Sequence, residues 1–170
     1  MIERDTLENQ VKTIYLGIGS NLGNKKSNIE KAKFELTKSG VRILQSSSYY
    51  ESLSWPNSMN PKFLNIVIEI STNLKPLDLL CECKKIEVYI GRKKSPKNSP
   101  RVCDIDILDY NKKKMNDKMT LPHPRMHERN FVLLPLFEIN KDWTHPNSKI
   151  HIKKLILSLP NRDITSIKNI

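Results

Sequence analysis

The chain has 170 residues, a formal net charge of +11 and three cysteines. That length suits one domain, and no stretch approaches the roughly 18 uninterrupted apolar residues of a membrane span. An odd cysteine count without a Cys-x-x-Cys pair argues against a disulfide framework and a structural zinc site.

Residues 1–10 read as a polar tail with three acids and no apolar run, so no secretory signal is expected there, and residues 11–170 are the expected single domain. A soluble, cytoplasmic protein is expected. The positive charge suits a polyanionic partner, a nucleic acid or a nucleoside triphosphate alike.

Residues 13–19 read as a first strand. Asn24 or Ser27 can cap a helix reaching about Lys38, with Ile29, Ala32, Leu36 and Phe34 inward and Gly40 just past its end. Residues 41–50 read as a second strand and residues 51–61 as a loop. In residues 63–71, Phe63, Asn65, Val67 and Glu69 share one face of a third strand, with Leu64, Ile66, Ile68 and Ile70 on the other. Pro76 suits the first turn of a second helix, with Leu79, Leu80, Cys83, Ile86 and Ile90 at helical spacing.

The basic, apolar-poor residues 91–100 are expected to form a mobile loop before a fourth strand at 101–110. A lysine-rich turn follows at 111–118, a proline- and histidine-bearing segment at 121–128, a short apolar element at 131–138 and a last helix near 154–159. The order β-α-β-β-α-β predicts an α+β, ferredoxin-like antiparallel sheet with both main helices on one face and C-terminal additions.

The strongest chemical signal is Arg101-Val102-Cys103-Asp104-Ile105-Asp106-Ile107-Leu108. Residues two apart on a strand face the same side, so Asp104 and Asp106 present two carboxylates together while Ile105 and Ile107 enter the core. Such a pair repels itself unless a cation lies between, and Mg²⁺ is the natural one when phosphate oxygens and water complete the shell. The same pattern also suits a solvated sheet face.

Arg92 and Arg101 bracket the basic loop, where cations can follow charge during phosphoryl transfer, although charge runs are also commonly solvated. Between Pro122 and Arg129 the prolines hold the chain extended and fix His123 and Arg129 as phosphate or ribose contacts, or as ordinary surface residues. Asn65 stands among apolar residues, where its amide needs partners: a structural hydrogen bond or a heterocyclic amide edge. Trp55, Phe63 and Phe131 suit a flat ligand or the core. Gly17-Ile18-Gly19-Ser20-Asn21-Leu22-Gly23 lacks the Gly-Lys-Ser/Thr ending of a P-loop and reads as a tight strand-to-helix turn.

Together these segments resemble the 6-hydroxymethyl-7,8-dihydropterin pyrophosphokinases of folate biosynthesis, from about Tyr15 to Pro146. The markers are the Gly17–Gly23 run, Phe63-Leu64-Asn65, Ile86-Glu87-x-x-Ile90-Gly91-Arg92, Pro100-Arg101-x-x-Asp104-Ile105-Asp106-Ile107-Leu108, and Leu121-Pro122-His123-Pro124-Arg125-Met126-His127-Glu128-Arg129-x-Phe131-Val132-Leu133-x-Pro135-Leu136. The resemblance implies a ferredoxin-like enzyme that transfers the β,γ-pyrophosphoryl unit of ATP to the pterin hydroxymethyl group, leaving AMP. It implies two Mg²⁺ ions on Asp104 and Asp106, and Arg92 and Arg101 as catalytic loop arginines. Ser52, Trp55, Phe63, Asn65 and Phe131 are implied to bind pterin. Leu80, Glu87, Ile107, Thr120, His123 and Arg129 are implied to bind ATP. A monomer with neither nucleic acid nor membrane as partner is expected.

Asn98-Ser99 stands where the family usually has Trp-Gly, Val102-Cys103 replaces the common pair before the first aspartate, and the loop after Glu51 lacks the usual proline and glycine pattern. An RNA-binding module and a catalytically dead relative are the alternatives. The first lacks the expected Lys/Arg-Gly-Phe-Gly-Phe pattern.

Overall fold

A computed structural model describes residues 13–54, 57–96 and 98–170. In chain order, β1 (Ile14–Ser20) is followed by α1 (Lys25–Lys38), β2 (Arg42–Ser46), β3 (Tyr50–Ser52), β4 (Phe63–Ser71), α2 (Pro76–Ile90) and β5 (Asp104–Tyr110). A two-residue hairpin pair, β6 (Met115–Asn116) and β7 (Thr120–Leu121), leads through a 3-10 turn at Met126–Glu128 into α3 (Asn130–Ile139). The chain ends with α4 (Ile152–Leu157), α5 (Asn161–Ser166) and β8 (Lys168–Asn169).

β1 is central, antiparallel to β4 on one side and β5 on the other. The sheet runs β5-β1-β4-β3-β8, with β2 also paired to β4. This is the expected α+β arrangement once β2 and β3 are counted as one interrupted strand. The continuous strand expected at 41–50 breaks because Ser47 turns its side chain into the ladder: Ser47 Oγ accepts from the Val67 N–H at 3.0 Å. The fourth strand starts at Asp104 rather than Arg101, since residues 98–103 make no regular pairing. The apolar element at 131–138 is helical, and the last helix divides into α4 and α5.

Local signals account for the helix ends. Asn24 caps α1 by accepting from the Ser27 N–H at 3.0 Å. Pro76 opens α2, where its missing N–H costs no hydrogen bond. Gly91, at φ 118°, ends α2 in a left-handed conformation that a β-carbon would strain. Phe34 is a correction to the sequence reading: it is 62 % exposed, on the solvent side of α1.

Two apolar cores lie on opposite faces of the sheet. Leu16, Ile18, Ile66, Ile68, Ile105 and Ile107 pack against Ile29, Ala32 and Leu36 of α1 and Leu79, Cys83 and Ile86 of α2. Tyr15, Val67 and Leu108 point the other way and meet Val132, Leu133 and Leu136 of α3, together with Trp143, Ile152 and Leu155. A register shift in the β1–β5 ladder pairs Tyr15 with Asp109 and Leu16 with Ile107. Leu108 is therefore the extra residue of a bulge. Just beyond it, Asp109 is buried and accepts from Trp143 Nε1 at 2.9 Å. Among the described residues no helix is long and apolar enough to cross a membrane.

Burial separates the three thiols. Cys81 is exposed, while Cys83 and Cys103 are enclosed and burial pushes each thiol up to about 12. A thiol reagent should therefore titrate Cys81 alone in the native protein at pH 8, and all three cysteines in guanidinium. Rapid native modification of Cys83 or Cys103 would contradict this packing.

Candidate active site

The sheet face that carries Tyr15, Val67 and Leu108 is covered at one end only. Toward the other end, pairing across three strands aligns Asp104 of β5 with Gly19 of β1 and Gly19 with Asn65 of β4. The next row aligns Asp106 with Gly17 and Val67. Neighbouring strands lie about 4.8 Å apart, so a carboxylate and an amide stand about 10 Å from each other across a glycine. A β-carbon at Gly19 would lie 3.0 Å from Asn65 Oδ1 and 3.4 Å from the Phe63 ring. The glycine thus leaves the floor open, where any other residue would fill it.

Over this floor lies a cavity of ≈ 240 Å³. Of the residues singled out in the sequence, Ser52, Phe63, Asn65, Arg101, Asp104, Asp106, His123, Arg129 and Phe131 line it. Arg92 stands behind Asp104 and reaches it. Leu80, Glu87, Ile107 and Thr120 lie elsewhere. Ile107 is 4 % exposed in the helix-side core, Leu80 packs against the same core, and Thr120 is exposed beside Asn116. Trp55 falls outside the described residues.

Glu87 is 1 % exposed. Its Oε1 accepts from Lys84 Nζ and from the Ile105 N–H, both at 2.7 Å, and its Oε2 accepts from Arg92. It ties the end of α2 to the start of β5.

Cations surround the two aspartates. Asp104 Oδ1 accepts from Arg92 Nη1 and Oδ2 from Arg101 Nη1, each at 2.8 Å. Asp106 Oδ2 accepts from Arg129 Nη1 at 3.2 Å, and His123 Nε2 lies 3.8 Å from it. Burial works against the charge of Arg92, but Asp104 and Glu87 outweigh it and raise its pKa. Burial lowers that of Arg129, with Asp106 offsetting part of the effect; a guanidinium still keeps its charge. Burial also lowers the pKa of His123, against the pull of Asp106, so the imidazole is neutral at pH 7. His123 Nδ1 accepts from the Arg125 N–H at 3.2 Å, which assigns the ring proton to Nε2. His123 is therefore a donor toward the cavity.

The donor set bears on metal binding. Among the described residues no group of three or more His, Cys, Asp or Glu could hold a metal ion. Two carboxylates on one face offer hard oxygens without closing a shell. They fit a Mg²⁺ ion whose remaining ligands are water and phosphate oxygens, as that ion prefers.

Asn65 Nδ2 donates to Ser52 Oγ at 2.9 Å and to the Tyr50 carbonyl at 3.3 Å. Among the described residues nothing donates to its Oδ1. Phe63 and Phe131 enter the same cavity from β4 and α3, and the Arg129 guanidinium lies 5.5 Å from the Phe131 ring.

Sequence reading assigned no binding role to several residues here. Ser54, Asn98, Ser99 and Arg125 line the cavity. Buried Asn21 holds its rim together, accepting from the Arg101 N–H at 2.6 Å and donating to the Pro61 carbonyl at 3.0 Å and Ser54 Oγ at 3.3 Å. An asparagine within an otherwise tight glycine-rich turn was the available signal. Asn21→Ala should cost about 1–3 kcal/mol in urea unfolding, because it strands buried polar groups on two loops. A change below about 0.5 kcal/mol would mean that those loops hold their positions without it.

The family model for 7,8-dihydro-6-hydroxymethylpterin-pyrophosphokinase (HPPK) matches residues 15–141. The folic acid synthesis protein fol1 of Pneumocystis carinii is 36 % identical over 157 residues, 92 % of this chain and 21 % of that protein. This chain thus spans about a fifth of the length of that relative. The 2-amino-4-hydroxy-6-hydroxymethyldihydropteridine pyrophosphokinase of Aquifex aeolicus is 41 % identical over 135 residues, 79 % of this chain and 84 % of that protein. The Plasmodium falciparum HPPK-DHPS structure with pteroate shares the fold, with a TM-score of 0.70 at 16 % identity over 87 % of this chain and 42 % of that one. With a family model spanning most of its length and a relative 41 % identical over 84 % of that relative's length, this chain belongs to the 7,8-dihydro-6-hydroxymethylpterin-pyrophosphokinase family.

Proposed function

We propose that this chain transfers the β,γ-pyrophosphoryl unit of ATP to the hydroxymethyl group of 6-hydroxymethyl-7,8-dihydropterin, giving AMP and the pterin diphosphate. One observation carries the reading beyond family membership. A single cavity brings Phe63, Phe131 and Asn65 together with a cluster of aspartates and arginines about 10 Å from Asn65 across Gly19. That is the spacing a bicyclic ring with a reacting side arm needs if its arm is to meet a triphosphate.

The pterin lies between the two phenyl rings. Both Asn65 amide protons are already committed, so its Oδ1 accepts from an N–H on the ring edge. Ser52 fixes the amide by accepting from it. Arg101 and Arg92 hold the triphosphate from the loop side, while Arg129 and the Nε2–H of His123 hold it from the opposite wall. The hydroxymethyl oxygen forms a bond to the β-phosphorus as the bond from that phosphorus to the α,β-bridging oxygen breaks. The electron pair leaves on the AMP phosphate, and the hydroxyl proton passes to water. The arginines follow the charge as it moves from β to α, a contribution that grows toward the transition state.

Asp104 and Asp106 would hold two Mg²⁺ ions that arrive with the nucleotide. When bound, the ions supply charge neutralisation and acidify a coordinated hydroxyl. With no strong base beside the cavity among the described residues, orientation supplies much of the remaining rate. Glu87, Leu80, Ile107 and Thr120 act only indirectly in this reading, by shaping β5 and its neighbours.

The RNA-binding alternative needs an open sheet face with exposed aromatics. Here α3 and the C-terminal elements occupy that face outside the cavity, which removes support for it.

Asp104→Ala or Asp106→Ala should lower Mg²⁺-dependent AMP release by on the order of 100-fold or more while thermal melting stays cooperative. A near-normal rate in either variant would remove the metal assignment. Asn65→Ala should weaken pterin binding about tenfold or more, read by calorimetric titration, and leave ATP binding within about twofold. Equal losses for both ligands would contradict the assignment of Asn65 to the ring edge.

A further inference from the structure

We propose that Arg92 and Arg101 form a guanidinium latch on Asp104 that keeps divalent metal out of the site until a nucleoside triphosphate arrives. The proposal rests on the reading of Asp104 and Asp106 as metal ligands given above. It adds an order of events which that reading does not contain.

Both oxygens of Asp104 are occupied, one by each arginine at 2.8 Å. Mg²⁺ would need to approach such an oxygen to about 2.0–2.1 Å. Each guanidinium takes one of its oxygen's two lone pairs and sets a positive charge beside it, which opposes a dication's approach. The cations are held by fixed parts of the fold. Arg92 follows the last turn of α2 and is also bonded to Glu87, whose carboxylate is 1 % exposed and cannot leave. Arg101 is clipped through its backbone to Asn21, which accepts its N–H and donates its own N–H to the Arg101 carbonyl at 3.0 Å. Asp106 is engaged at Oδ2 alone, by Arg129 at 3.2 Å.

The charge balance points the same way. Lys84, Arg92, Arg101 and Arg129 face Glu87, Asp104 and Asp106, four positive groups against three negative. A bare dication enters a cluster that is already positive. A triphosphate reverses the balance. Its oxygens suit the planar forks of the arginines, which exchange a carboxylate for a phosphate partner and free the aspartate oxygens for metal. Nucleotide and metal then bind as one event, and the nucleotide-free site avoids futile metal occupancy.

The experiment titrates Mn²⁺ into the full chain without nucleotide and reads free Mn²⁺ by electron paramagnetic resonance. Arg101 is the residue to change, because removing Arg92 would also leave buried Glu87 short of a partner. Arg101→Ala and Arg101→Gln should each bind Mn²⁺ at least tenfold more tightly than the wild type. Adding Asp104→Asn should erase that gain. The wild type should acquire tight Mn²⁺ binding when a non-hydrolysable ATP analogue is added. Thermal melts of the same samples establish that the variants are folded.

If the Arg101 variants bind no more tightly than the wild type while the analogue still recruits Mn²⁺, the latch is overturned and the metal reading survives. If the wild type takes up no Mn²⁺ even with the analogue, the metal reading falls and the latch falls with it.

Discussion

Two carboxylates facing the same way from β5 are the constraint around which the site is arranged. At alternate positions of an extended strand they stand about 7 Å apart, where two like charges repel by about 2 kcal/mol at the effective dielectric of a protein surface. The protein answers with arginines drawn from three separate places: Arg92 past the end of α2, Arg101 ahead of β5 and Arg129 ahead of α3. These groups converge because β5 lies beside central β1, and the α2–β5 connection and the segment before α3 both pass its end. The ion pairs are partly exposed, so they add little to stability on their own. Their effect is to gather cations within reach of one cavity.

Absent side chains matter as much as charged ones. Gly17 and Gly19 sit opposite Asp106 and Asp104 on the central strand. Elsewhere on β1 the alternation places Leu16 and Ile18 in the helix-side core. The two glycines leave the opposite face bare just where the flanking strands present Asn65 and the aspartates. Glycine weakens a strand interior, because it loses more backbone entropy on folding and packs nothing. Here the cost is offset by ladder pairing on both sides of β1.

The C-terminal part of the chain decides which portion of the sheet stays open. α3 and α4, with Trp143, cover Tyr15, Val67 and Leu108 and leave the glycine end uncovered. The bulge at Leu108 marks the transition between the two regions: beyond it, Asp109 turns inward to Trp143 rather than joining the carboxylates of the cavity. β8 then pairs with β3 and protects that edge of the sheet. α5 lines a second hollow next to the first, with Arg125, Arg129 and Phe131 shared between them.

The sequence by itself determined the elements whose causes are local. Strand alternation gave β4 its two faces and put Ile105 and Ile107 inward with Asp104 and Asp106 outward. Capping chemistry at Asn24, Pro76 and Gly91 set the helix ends. The motif order identified the family. Tertiary structure alone decided matters that depend on residues far apart in the chain: that Ser47 interrupts the second strand by pairing with Val67, that Asn21 holds Arg101 to the loop at Pro61, and that Glu87 is enclosed and saturated rather than facing the cavity. It also set Phe34 in solvent, since which side of an element is covered depends on what packs there. Periodicity reports only which residues share a face. Which face becomes a floor, a core or a surface is fixed by long-range pairing and burial, and no window of sequence contains both partners.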